Sequence, residues 1–352
     1  MFDGVDALRR LVLNGLGASG LSRLARPLVG GVGAILMLHR VTAHPQKPDG
    51  FNRHLNIEPA FLDALIADMR VGGYEFVTLD EALVRLAQGR GARRFATITA
   101  DDAYRDNLTE ALPILEKHGA PITIYVAPGL IDGAVDLWWE VVEDVVNKRG
   151  MLVLETAEGP LKLDCSTLEG RIRANARLHR YLTVETREED QCAVLAALAQ
   201  ANGVDPRTPS RETLMNWDEI AQAAAHPLVT IGAHTIHHYS LKRLNAETAR
   251  REIVDAATAL EERLGARPRH MAYPYGYASA VGAREVELAR EAGYTSAVTT
   301  RHGILQAGHA RHLHALPRIS VNGRYQELAY LRTMLSGITT PLANRGRALV
   351  TV

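Results

Sequence analysis

The chain has 352 residues, and its 40 Lys and Arg balance 40 Asp and Glu, so it carries no broad basic footprint for nucleic acid. Hydrophobic residues make up 47%, ordinary for a large packed core, and the length suits about two domains or one α/β barrel. The two cysteines, Cys165 and Cys192, have no C-x-x-C or metal spacing; one disulfide between them is open, and two free thiols are the simpler reading.

Residues 1–30 form an N-terminal segment in which Leu8, Leu11, Val12, Leu16, Leu21, Leu24 and Leu28 alternate with arginines. This predicts one or two amphipathic helices broken near Gly15-Leu-Gly17. Two uses stay open: packing on the domain, or peripheral contact of residues 6–28 with an anionic membrane such as the inner membrane. Asp3 and Asp6 precede the apolar residues and arginines interrupt them, so no secretion signal is expected. No apolar run is long enough to span a bilayer, and a cytoplasmic location is the default.

Residues 31–338 are expected to form the main domain and 339–352 a loose tail. Gly33-Ala-Ile-Leu-Met-Leu-His39 is a continuous apolar run that suits a buried parallel strand. A helix pattern follows over 58–70 and ends at Gly72-Gly73, then a short strand at 75–78 and a second helix to Gln88, with Asp80 expected as its cap. Strand 95–99 ends in Asp101 and Asp102. Adjacent carboxylates at the carboxyl end of a parallel strand repel unless a cation lies between them or one is protonated; the plainer alternative is that Asp101 caps the next helix. Helix 105–118 and strand 121–126 continue a βαβα alternation that argues for a parallel sheet.

Residues 131–212 break that rhythm and read as an insertion between two strands, with a hairpin near 151–163 and charged helices over 167–201. Trp138 and Trp139 within it suit either stacking on a sugar ring or a core anchor. The alternation resumes with strand 228–231, which ends in His234, His237 and His238. Neutral imidazoles beside a carboxylate are a usual donor set for a hydrolytic divalent ion, and His234 and His238 are four apart. Helix 246–264, strand 270–273, helix 281–292, strand 294–299, strand 313–320 and helix 325–335 complete the pattern. His302, His312 and His314 form a further cluster, a second metal site or a solvated loop.

Three stretches together resemble the polysaccharide deacetylases, the chitooligosaccharide-deacetylase-like carbohydrate esterases. Thr99-Ala-Asp101-Asp102-Ala103 is similar to T-F-D-D-G, His234-Thr-Ile-His-His238 fits H-[S/T]-x-x-H, and Ala272-Tyr273-Pro274-Tyr275-Gly276 is similar to R-x-P-[Y/F] with its trailing Gly. Leu36-Met-Leu-His39 resembles that family's closing L-x-L-H strand, placed first in this chain, as in a circularly permuted variant. The resemblance implies a distorted (β/α) barrel and N-acetyl hydrolysis on an amino-sugar glycan, lipid-linked or free. It also implies a divalent cation, zinc before cobalt or nickel, on Asp102, His234 and His238. Asp101 would be the base, His39 the acid opposite it, and the Tyr275 N–H an oxyanion donor, with Tyr273, Pro274, Trp138 and Trp139 on the substrate side. The family's Arg stands here as Ala272, so another residue must orient Asp101; Arg269, Arg301 and Arg318 are the candidates. That loss keeps two alternatives open, a carbohydrate-binding barrel without turnover and a hydrolase of a non-sugar amide.

Overall fold

The computed structural model describes residues 2–44, 47, 49–89, 93–148, 150–156 and 158–352. Its centre is a closed barrel of parallel strands, named here in chain order: β1 (Gly33–Leu38), β2 (Phe95–Ala100), β3 (Ile122–Val126), β4 (Val229–Ala233), β5 (His270–Ala272), β6 (Ser296–His302) and β7 (Leu316–Ser320). Each strand pairs with the next, and β1 closes the ring by pairing with both β7 and β2. A short strand, Glu75–Phe76, adds to the start of β2.

Both β1 and β2 are buried along their whole length, as expected of strands with side chains packed on both faces. Inside the barrel, Ile35, Phe95, Tyr125, Ala272, Val298 and Leu316 pack together. The alternate residues Leu36, Leu38, Ile98, Ile122 and Ile124 pack outward against the surrounding helices. Among those helices, Pro59–Val71 contributes Leu62, Leu65, Ile66 and Met69, and Ala246–Leu264 contributes Ile253, Ala256, Ala257 and Leu260. Gly232 is required by this packing, because a Cβ there would sit 2.5 Å from the Tyr125 ring that fills the interior.

Between β3 and β4 the chain builds a second apolar cluster around Val141, Val145, Leu178, Leu195 and Leu198. It comprises helices Trp138–Asn147, Leu168–Arg180 and Gln191–Ala201 and an antiparallel hairpin, Met151–Thr156 with Gly159–Asp164. Before β1 lie α1 (Phe2–Ala18) and α2 (Leu21–Val29). Among the described residues, no helix is long and apolar enough to cross a membrane.

Two local expectations are corrected. Thr78 rather than Asp80 caps helix Leu79–Gln88, accepting from the Glu81 N–H, while Asp80 pairs with Arg269 at 3.0 Å. The tail is not loose: it contains helix Thr339–Ala343, Val350 is buried, its carbonyl meets His309 Nε2 at 3.0 Å, and the Thr351 carbonyl accepts from Arg301. Both cysteines are free thiols.

Candidate metal and catalytic site

Parallel strands deliver the residues that follow them to one mouth of a barrel. β1 delivers His39, β2 delivers Asp101 and Asp102, β4 delivers His234, and β5 delivers Pro274 and Tyr275. Leu38 pairs with Ala100, and the Asp101 N–H donates to the Leu38 carbonyl at 3.1 Å, so His39 and Asp101 leave adjacent strands at one level. Asn107 donates to the His39 carbonyl and Asp106 accepts from the Val41 N–H, tying the turn after β1 to the helix after Asp102.

Asp102, His234 and His238, 136 positions apart in sequence from first to last, converge. Their ligand atoms all lie within 4.8 Å of one another, and Asp102 Oδ1 is 3.5 Å from His234 Nε2 and 3.4 Å from His238 Nε2. His234 Nδ1 lies 2.7 Å from the Ala272 carbonyl, which fixes Nδ1 as the protonated nitrogen and leaves the Nε2 lone pair facing Asp102. Burial lowers the basicity of both histidines, most strongly at His238, so both are neutral donors. Burial and the adjacent Asp101 push the Asp102 carboxyl well above the usual carboxylate range. Its Oδ1 is a buried atom with no hydrogen-bond partner, as a ligand atom awaiting a cation would be. The donor set fits zinc or a similar divalent ion.

Asp101 has the opposite environment. Arg318, from the middle of β7, donates to both of its oxygens at 2.7 Å, and the same guanidinium reaches the Thr99 hydroxyl and the Thr299 carbonyl. Burial alone would raise the Asp101 carboxyl, but Arg318 holds it well below the ordinary range. This answers the loss of the family's Arg at Ala272: the guanidinium comes from another strand. Arg269 and Arg301 have other partners, Asp80 for the first and the Val281 and Thr351 carbonyls for the second. His39 Nε2 stands 4.0 Å from Asp101 Oδ2, and burial pushes its imidazole down to about 4.

These groups line one cavity of about 410 Å³, within the range of small-ligand sites. Trp138 and Trp139 form part of its wall but are more than nine-tenths buried, with their ring N–H groups given to the Tyr275 and Tyr104 hydroxyls. Neither presents a broad open face for stacking; Trp139 instead packs against His238 at 5.2 Å between ring centroids. Tyr273 is a correction: it alternates to the outside of the barrel, fully buried, with its hydroxyl on the His314 carbonyl. Pro274 and Tyr275 shape the turn, with Tyr275 at φ 62° and its carbonyl held by the Thr300 hydroxyl at 2.5 Å. His237 turns away to Glu252 at 2.6 Å, and His302 and His314 go separately to Thr339 and the Tyr294 carbonyl, so no second metal cluster forms there among the described residues. His54, His179 and Asn322 also face the cavity. His179 comes from helix Leu168–Arg180, His54 from a short turn of helix at Arg53–Leu55 and Asn322 from the segment after β7, none with a motif to mark it.

Comparison with known proteins bears on the fold. Residues 190–297 match the family model for polysaccharide deacetylase, a span holding His234, His238 and Tyr275 but not Asp101 or Asp102. The fold is that of the polysaccharide deacetylases. Streptococcus pyogenes deacetylase PplD, solved with acetate, superposes with a TM-score of 0.55 at 19% identity, over 86% of this chain and 97% of that one. IcaB from Ammonifex degensii gives 0.52 at 17%, with 86% and 97% covered, and the polysaccharide deacetylase BC0361 from Bacillus cereus gives 0.52 at 16%, with 86% and 68%. A search of curated proteins found no significant match. In this barrel, the strand carrying His39 lies between the strand of Asp101 and the strand of Arg318, neighbours that ring closure gives it wherever it falls in the chain.

Proposed function

We propose that the protein is a divalent-cation-dependent hydrolase that removes N-acetyl groups from an amino-sugar glycan. The observation that carries this reading is the convergence of Asp102, His234 and His238 on one point beside an Arg318-held Asp101, with His39 across from it. Held by those three residues, a cation such as zinc would polarise the acetyl carbonyl and make a nearby water more acidic.

Asp101 would accept the proton of that water, and Arg318 keeps it ionised and aimed. As water oxygen bonds to the carbonyl carbon, the Tyr275 N–H would be the donor to the developing negative oxygen, the role that the resemblance implies for it. The C–N bond then breaks and the amine takes a proton through His39. The first proton taken from water gives the amine and acetic acid, and the acid's remaining proton then passes to the amine, so acetate leaves and an ammonium group stays behind. His39 is neutral at rest and stands one short step from Asp101, so the two act as a pair.

The family match and the fold support glycan deacetylation, and acetate, the acid product of this reaction, is the molecule bound to PplD. A binder without turnover is disfavoured because Arg318 supplies the charge that Ala272 lacks. The test is acetate release from N-acetylglucosamine oligomers by zinc-loaded protein, with metal content measured in parallel. Wild type should release acetate, and Asp102→Ala and His234→Ala should lose both metal and activity. Acetate release that survives in either variant, or none from wild type with zinc, cobalt or nickel, overturns the reading.

A further inference from the structure

The two N-terminal helices are amphipathic in an inverted sense. α1 meets the barrel through polar residues: Asp6 accepts from Arg324 at 2.8 Å and from the Tyr325 hydroxyl at 2.7 Å, Arg10 donates to the Arg324 carbonyl, and Asn14 reaches the Tyr330 hydroxyl. Positions 6, 10 and 14 form one stripe, which Leu13 shares where it packs against the core, while Leu8, Leu11 and Val12 lie off it. Leu8, Leu11 and Val12 are exposed, Leu11 by 69%. α2 repeats the arrangement: Ser22 is buried and Arg26 donates to the Gly72 carbonyl, while Leu21, Leu24 and Leu28, at helical spacing on the other side, face solvent, the last two by 76% and 79%. A helix in water ordinarily buries its leucines and exposes its charges. Here the apolar stripe runs outward over both helices, and Val71, at the end of the adjoining helix, is 90% exposed.

Charge identifies what covers this surface. Residues 7–29 hold four arginines and no Asp or Glu in a chain of zero net charge, and Arg9, Arg10 and Arg26 are exposed. The side chain of Arg23 lies outside the described residues. Beside α2, Arg26, Arg94 and Arg332 line a groove of about 320 Å³ with Val71, Gly72 and a single carboxylate, Asp68. We propose that α1 and α2 form an interfacial docking surface for an anionic phospholipid bilayer, with the outward leucines in the headgroup–acyl boundary and the arginine groove taking lipid phosphate. A second copy of this chain would bring like charges together on the same face.

The test is co-flotation of the full chain with phosphatidylcholine vesicles, with and without phosphatidylglycerol. Binding should be at least ~10-fold stronger with phosphatidylglycerol and should fall with added salt. Leu24→Glu combined with Leu28→Glu should weaken it by ~10-fold or more, with unchanged melting temperature and unchanged acetate release from soluble oligomers. No vesicle binding by wild type, or binding that the double substitution leaves intact, overturns the proposal. So does a wild-type dimer that the same substitution dissociates, or stabilisation by inorganic phosphate alone without vesicle binding. None of these readouts depends on turnover, so failure of docking and failure of the proposed chemistry are distinguishable.

Discussion

Arg318 holds Asp101 by two parallel hydrogen bonds of 2.7 Å, both partners wholly inside the barrel. Removing one member of such a pair leaves a buried charge uncompensated, at about 3–5 kcal/mol. Arg318→Ala should therefore lose roughly that much stability by denaturant unfolding. Arg318→Lys keeps the charge but loses the fork, and a misaligned base costs on the order of 100-fold in kcat. Ala272 packs among the interior residues near Tyr125 and Leu316. Arg318→Ala combined with Ala272→Arg should thus recover part of both losses. A double variant no better than Arg318→Ala in unfolding and in acetate release would show that the two positions are not interchangeable sources of the guanidinium.

How much of this was legible in the sequence follows from the same residues. Strands that end in chemistry announce themselves locally: an apolar run followed by Asp101-Asp102, another by His234 and His238, a third by His39. Ring closure then brings together what the chain separates, since β1 pairs with β7 as well as β2. Arg318 was harder to find, because Leu316-Pro-Arg-Ile-Ser shows a lone arginine in a strand and nothing in that pattern says which carboxylate it meets. Tyr273 lies away from the site for a related reason. Its neighbours Ala272 and Tyr275 belong to the interior and the site, but strand alternation sends 273 to the helix side. The Trp pair and His179 depend on how the segment between β3 and β4 folds back over the mouth, information carried by its packing and by no short motif.

Asp102 has the reverse balance to Asp101, with an unpartnered oxygen and a carboxyl pushed up by burial and by its neighbour. A carboxyl raised in this way stabilises the fold only while protonated; that contribution is complete below its unfolded value near ~3.9 and is lost as pH rises toward the folded value. At neutral pH the metal-free protein bears a cost at this position. Asp102→Asn should then be more stable than wild type in chelator, by about 0.5–2 kcal/mol. Added zinc should raise the melting temperature of wild type and leave that of the variant unmoved. A variant that melts below wild type in chelator, or that still gains from zinc, contradicts this account of the site.

Acid should unfold the protein through its histidines. His54, His179, His270 and His302 are pushed down to about 4 by burial, against an ordinary value of 6.5. A histidine whose folded value is depressed adds stability above its unfolded value, and that stability drains as pH falls from 6.5 toward 4. Each such group forfeits up to about 3 kcal/mol by the lower end, and the whole stability of a domain is about 5–15 kcal/mol. Cooperative loss of the circular dichroism signal is therefore expected to begin below pH ~6.5 and to be complete by ~4, before most ordinary carboxylates have taken up their protons. A spectrum still native at that pH would show that these imidazoles protonate without opening the structure.

Ala103 sits next to the site in left-handed backbone, φ 55°, and is fully buried, with its carbonyl accepting from the Met215 N–H. A non-glycine residue in that region costs about 1–2 kcal/mol. Ala103→Gly relieves this but gives up a buried methyl worth about 0.8 kcal/mol and frees the unfolded chain by about 0.5–1 kcal/mol. The effects nearly cancel, and the variant should unfold within about 1 kcal/mol of wild type with kcat unchanged. Ala103→Val gains no such relief: its branched Cβ meets the same backbone with less room, and overpacking in a filled interior adds about 1–3 kcal/mol. Equilibrium unfolding of both variants separates the contributions, for if glycine were as damaging as valine, the buried methyl rather than the backbone conformation would be what position 103 demands.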